Sequence, residues 1–277
     1  DIETVKLAFD KHTSSNPNPG LPPMVFLHGL FGSKANNRAI SRQLAKKSGR
    51  DVYCLDLRNH GDSPHNERHD YPSMAADVER FIKDNQLGKP IVIGHSMGAK
   101  AAMAMVLRNS EICSGLVSVD NAPVDFTFGR GTGFSKFGKY IRQLQLIENK
   151  KDITTLKECD KLLSMVEPSL PIRQFLLTNM RKDPSGEGYN SRGPLTIIGR
   201  QLDNISGWPF NYQHSRWNGD SLFIRGTQSG YIADEYVASI GLFFPRFLLE
   251  DIDCGHWVTS EAPDAFISSV LRFVDTD

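Results

Sequence analysis

Short apolar runs recur along this chain, each joined to the next through a stretch with helical spacing, and few folds satisfy that pattern. Met24-Val25-Phe26-Leu27 is wholly apolar, as a strand buried on both faces must be. Val52 to Leu57, Pro90 to Ile93, Leu116 to Val119, Leu222 to Ile224 and Arg246 to Ile252 read as further strands, and Thr4 to Phe9 alternates like a half-buried one. Helices are expected over Asn36 to Lys47 (closed by Gly49), Ser73 to Asn85, Met97 to Leu107, Ala233 to Ile240 and Glu261 to Phe273 (opened by Ser260 and Pro263). Such alternation predicts an α/β fold, a mainly parallel sheet flanked by helices. Reactive groups of such sheets stand at the carboxyl ends of the strands.

Asp125 to Trp217 interrupts the alternation. Phe134, Phe137, Ile141 and Leu144 recur at helical spacing, and Thr155 with Glu158 forms a capping box ahead of Cys159, Leu162, Leu163 and Val166. Ile172, Phe175, Leu176 and Met180 mark a third helix, and the polar stretch Asp183 to Pro194 reads as a mobile loop. The division expected is a sheet core from 1–124 and 218–277, with a helical cap inserted at 125–217. Gly129-Arg130-Gly131-Thr132-Gly133 follows no strand and is read as a loop, not a phosphate cradle.

Composition narrows the function classes. The 277 residues carry 32 basic and 32 acidic side chains, a balance that gives nucleic-acid binding no support. The longest clean apolar run, Ala101 to Leu107, is far too short for a transmembrane segment. Cys54, Cys113, Cys159 and Cys254 form no CxxC pair and read as free buried thiols. HExxH and GxxxxGK[ST] are absent, so no metal or nucleotide site is expected.

Gly94-His95-Ser96-Met97-Gly98 fits G-x-S-x-G, a weak signal alone but a strong one between a strand and a helix. A serine lifted off the sheet by a strained turn needs small residues two positions to either side, and glycine stands at both. Ser96 is therefore the candidate nucleophile. The Met97 N–H at the helix start and the Leu30 N–H in the loop after Met24 to Leu27 are the candidate oxyanion donors. His28, in that same loop, is equally well a satisfied core histidine. His256 follows the last strand and precedes the last helix, the place for the general base, and no other histidine shares it.

The acid is the least conventional member. Its usual turn, after Leu222 to Ile224, reads Gly226-Thr227-Gln228-Ser229-Gly230 and holds no carboxylate; Asp234 and Glu235 come later, on the expected helix. Asp120 ends Leu116 to Val119, one helix and one strand beyond Ser96. That strand is expected beside the serine's strand, so Asp120 is the candidate partner of His256, with Asp234 next in line.

With His28-Gly29, Asp56-Leu57-Arg58-Asn59-His60-Gly61-Asp62-Ser63, the Gly94 to Gly98 elbow, Asp120-Asn121-Ala122-Pro123 and Gly255-His256-Trp257, the chain resembles a known group. That group is the fungal mitochondrial α/β-hydrolase subfamily that includes the yeast ethanol acetyltransferases and their paralogues. It is also similar to related animal mitochondrial hydrolases and small bacterial acyl esterases. The resemblance spans nearly the whole chain and is weakest over Phe126 to Trp217. It implies the α/β-hydrolase fold, an acid after the earlier strand (which supports Asp120), a mitochondrial location, and acetyl transfer from acetyl-CoA to an alcohol with ester and thioester hydrolysis beside it. Acetyl-CoA then enters as a co-substrate, no resident cofactor is expected, and the partners are a small acyl donor and an alcohol or water.

Transfer and hydrolysis use the same residues and differ only in what reaches the acyl-serine. A transferase needs a cap that excludes water, and Phe134, Phe137, Phe175 and Met180 either line an apolar slot for the alcohol or simply hold the cap together. A plain esterase or thioesterase of short acyl chains is the alternative. A catalytically inactive binding module would be expected to have lost Ser96, His256 or the elbow glycines, and all are present.

Overall fold

In the computed structural model, which describes residues 1–127 and 134–275, the apolar runs meet in one seven-stranded sheet. The strands in chain order are β1 (Phe9–His12), β2 (Met24–Leu27), β3 (Val52–Leu55), β4 (Ile91–His95), β5 (Gly115–Val119), β6 (Met180–Lys182), β7 (Tyr189–Ser191), β8 (Asp220–Gly226) and β9 (Phe247–Ile252). β6 and β7 form a separate antiparallel hairpin; the others lie in the order β1-β3-β2-β4-β5-β8-β9, all parallel except β1. The expected α/β class is what is found.

The helices α1 (Arg38–Ser48), α2 (Tyr71–Asp84) and α3 (Met97–Arg108) join the first parallel strands. After β5 the chain leaves the sheet through α4 (Phe134–Asn149), α5 (Leu156–Leu163), α6 (Leu170–Leu177), the hairpin, α7 (Leu195–Arg200) and α8 (Leu202–Ser206). It returns at β8, and α9 (Val237–Phe243), α10 (Val258–Glu261) and α11 (Pro263–Val274) complete it. Alternate side chains of each strand face opposite layers. Val25, Leu27 and Val92 pack into one cluster with α2 and α3, while Met24, Phe26 and Ile93 pack into another with α1 and α11. Each such fully buried side chain contributes about 1.5–3 kcal/mol of transfer free energy. Ala99, Ala101, Ala102 and Ala104 are all inaccessible, so α3 lies close on the sheet behind the serine turn.

Local signals account for most boundaries. Gly49 ends α1 at φ 72°, its N–H bonded to Ala45 O. Helix α2 begins at Tyr71, not Ser73, because Asp70 caps it by accepting Ser73 N–H at 2.9 Å, and Pro72 is harmless in a first turn. The Thr155–Glu158 capping box opens α5 as expected.

Three expectations need correction. Thr4 to Ala8 sits in no ladder. Val5 N–H bonds to the buried Asp77 carboxylate and Ala8 N–H to Ser63 Oγ, so strand pairing starts only at Phe9. Met180 is not on the third cap helix: α6 stops at Leu177, and Asn179 turns the chain by donating to Leu176 O and Phe31 O. Asp183 to Pro194 is no loose loop, since it holds the turn and the second strand of the β6–β7 hairpin. Its tip is ordered by Ser185 and Asn190 bonding to Asp183, and its stem by the buried Tyr189. The 129–133 loop and the side chain of Phe134 lie outside the described residues. All four cysteines are free and buried. Among the described residues no helix is long and apolar enough to cross a membrane.

Both ends of the excursion between β5 and β8 are tied to α3. Phe126 N–H bonds to Ser206 O, and the fully buried Lys100 points its ammonium at Val124 O (2.8 Å), Ser206 O (3.1 Å) and Gly207 O (2.9 Å). Three carbonyls match the three protons of an ammonium, and burial lowers this group to about 7.

Candidate active site

The geometry begins with two glycines. A Cβ on Gly94 would lie 2.2 Å from Gly98 O, and one on Gly98 would lie 2.5 Å from Leu27 O and His28 O. Only glycine at both places lets β4 turn directly into α3 against β2. Ser96, between them, is held at φ 55° and ψ −115°, a region that L residues rarely adopt. Its N–H bonds to Val119 O and its carbonyl accepts Asn121 Nδ2 at 2.9 Å, so the strained turn is fixed from the neighbouring strand.

The structure brings the three predicted residues together. His256 Nε2 is 2.9 Å from Ser96 Oγ, and His256 Nδ1 is 2.7 Å from Asp120 Oδ2. A carboxylate only accepts, so the Nδ1 proton points at Asp120 and the Nε2 lone pair faces the serine hydroxyl. Asp120 is fully buried, and its other oxygen accepts Gly226 N–H at 3.0 Å. That N–H comes from β8, whose following turn lacks a carboxylate. Asp234 is 96 % exposed at its side chain and pairs with Arg225 at 2.7 Å, so neither it nor the adjacent Glu235 competes for His256.

The loop after β2 lies directly against the serine, since a Cβ on Gly29 would come within 3.2 Å of Ser96 Cβ. Among the described residues, the Leu30 and Met97 N–H groups meet no acceptor, as oxyanion donors require. The next N–H, that of Phe31, is taken by His60 Nε2 at 3.1 Å. His28 is the satisfied core histidine: its Nδ1–H donates to Gly29 O and its Nε2 accepts Leu57 N–H at 2.9 Å. Burial pushes His28 down and His60 well down from the usual histidine range, so both brace the loop as neutral rings.

Sequence reasoning missed three neighbours. His95 donates Nε2–H to the carbonyl of His256 at 2.8 Å, and burial, then His256, push it down to about 4. Asn121 is the second; both stand beside motif residues, the one signal that singles them out. Tyr231, third, has its ring stacked on His256 with centroids 4.1 Å apart and planes at 23°, and no sequence pattern marks it. Of the apolar cap residues, Phe175 packs on Trp257 at 4.8 Å and Phe137 on Phe31 at 6.1 Å, each beside a site loop, whereas Met180 is buried in the core.

Comparison with known proteins agrees with this geometry. The family model described as alpha/beta hydrolase fold matches residues 22–263. A probable alcohol acetyltransferase of Saccharomyces cerevisiae is 45% identical over 92% of this chain and 77% of its own length. The sn-1-specific diacylglycerol lipase ABHD11 of Xenopus laevis is 36% identical over 98% of this chain and 85% of its own. Among solved structures, a marine microorganism esterase superposes with a TM-score of 0.89 at 31% identity, covering 98% of this chain and 100% of that one.

Proposed function

The chain is an enzyme of the α/β-hydrolase family, and from that premise we propose that it transfers acyl groups through an acyl-Ser96 intermediate, with acetyl-CoA as donor and an alcohol as acceptor. The observation that carries this reading is the unbroken hydrogen-bonded line from Asp120 through His256 to Ser96. His256 takes the Ser96 proton as Oγ attacks the thioester carbonyl, and the Leu30 and Met97 N–H groups receive the oxyanion. Asp120 holds the imidazole in the required tautomer and stabilises it when it becomes charged. Collapse expels the thiolate, which takes the proton from His256 and leaves as the CoA thiol, with the ester on Ser96 and the imidazole neutral again. His256 then deprotonates the incoming alcohol, the second oxyanion forms at the same two N–H groups, and the ester product leaves with Ser96 restored.

The probable acetyltransferase supports acetyl transfer, and the helical excursion over the strand ends supports shielding from water. A second reading, hydrolysis of short acyl esters, draws on the likeness to the marine esterase. The resemblance to the fungal subfamily supports a mitochondrial setting for this work. Purified protein incubated with acetyl-CoA, with and without ethanol, and assayed together for free CoA, acetate and acetate ester tests the choice. Ester formed in competition with water supports the transferase; acetate alone, unaffected by alcohol, supports the hydrolase.

A further inference from the structure

Two in-plane hydrogen bonds hold the His256 ring while Ser96 is free. Once Ser96 carries an acyl group, its hydroxyl is gone and Nε2 loses that partner. The imidazole must nevertheless keep its aim while the second nucleophile arrives. The structure puts Tyr231 on the open face of that problem: its ring lies nearly parallel to the imidazole at 4.1 Å.

Tyr231 is itself held firmly. It is 9% exposed, its N–H bonds to Ser229 Oγ, and its neighbour Ile232 is buried with its carbonyl accepting from Arg225. Behind it, Phe126 meets the Tyr231 ring edge-on at 5.6 Å, and the Lys100 ammonium stands 4.5 Å from the centre of the Phe126 ring. The turn that carries no carboxylate thus serves the base in two other ways. Gly226 N–H orients Asp120, and Tyr231 backs the imidazole.

We propose that Tyr231 is a positioning residue for His256, fixing the imidazole plane during acyl-enzyme turnover and stabilising the imidazolium with its π face. A ring stacked on a charged imidazole favours the charged form, which arises in both transition states. Besides Ser96, the groups facing His256 among the described residues are Asp120, His95 and Trp257, and Asp120 alone among them carries a charge that a Tyr231 substitution leaves in place. The proposal rests on the acyl-serine reading above.

The test compares Tyr231→Phe, which keeps the ring, with Tyr231→Leu, which removes it, on a chromogenic acetate ester, with Ser96→Ala as control. Expected for Tyr231→Leu is a roughly 10-fold fall in kcat with KM within about threefold. The acid limb of its kcat/KM profile moves toward lower pH, and Tyr231→Phe stays within about twofold of wild type in both respects. Phe126→Leu, which leaves the tyrosine unbraced, lowers kcat less, by about threefold, and serves if Tyr231→Leu does not fold. Wild-type kcat and an unmoved pH limb in Tyr231→Leu overturn the proposal, as does an equal loss in Tyr231→Phe. With Tyr231→Leu unfolded, wild-type kcat in Phe126→Leu overturns it. Wild-type turnover that Ser96→Ala retains overturns the acyl-serine reading and this inference with it, a failure distinct from the others.

Discussion

Ser96 and Asp120 end neighbouring parallel strands and share a positive φ, 55° and 50°, an unusual backbone for residues with a side chain. The register pairs His95 with Val119, so the two side chains leave the sheet at the same level, and His256 spans them. At both places the unusual backbone belongs to the residue that carries a reactive group.

Asp120→Asn replaces a carboxylate that accepts from Nδ1 with an amide free to donate there, which selects the wrong histidine tautomer. The expected fall in kcat is about 10³–10⁴-fold with folding retained, whereas Asp234→Asn keeps near-normal activity because its side chain is exposed. Steady-state kinetics on one acetate ester checks both; near-normal turnover in Asp120→Asn contradicts the assignment of the acid.

Gly98→Ala places a methyl 2.5 Å from two backbone carbonyl oxygens of the β2 end, which no side-chain shift relieves. A loss of about 3 kcal/mol or more in unfolding free energy is expected, read by urea titration. Gly88→Ala serves as comparison: nothing lies near its Cβ, so only its φ of 66° opposes the change and the loss is near ~1 kcal/mol.

Lys100→Met keeps the length of the side chain and withdraws three protons from Val124, Ser206 and Gly207 carbonyls. Loss of this tie between α3 and both ends of the helical excursion is expected to cost roughly 3 kcal/mol or more. Faster proteolysis within 125–217 than elsewhere is the accompanying sign, and a Lys100→Met variant as stable as wild type contradicts the role of the tie.

Burial lowers His69 to about 3 and His95 to about 4, while unfolded histidine titrates near its ordinary 6.5. The unfolded chain therefore binds more protons below pH 6.5. Stability from these residues is complete above that pH and falls as pH drops toward 4, by up to about 1.4 kcal/mol per pH unit for each histidine. Urea unfolding at pH 7.5, 6 and 5 reads this slope, and His69→Gln flattens it; a slope unchanged by that substitution contradicts the prediction.

The sheet and the serine turn were legible because their signals are local. Apolar runs mark buried strands, and the paired glycines answer a clash within five residues. Asp120 was legible by topology, since adjacent parallel strands bring their ends together. Tyr231 was not, because its stacking depends on how the turn after β8 folds back, and no periodicity encodes that. The β6–β7 hairpin was hidden for a related reason: its polar sequence looks loose until Asp183 is seen tying Ser185 and Asn190. Met180 reads as helical in the sequence because the spacing continues past a stop that Asn179 makes through a contact to distant Phe31.

The proposed chemistry requires that an acyl group be carried on Ser96. Protein mixed briefly with acetyl-CoA, acid-quenched, digested and examined by mass spectrometry tests it most directly. One acetyl group is expected on the peptide containing Ser96, absent from Ser96→Ala and discharged faster when ethanol is added before the quench. Release of CoA with no acetyl group ever found on Ser96, or equal CoA release by Ser96→Ala, contradicts it.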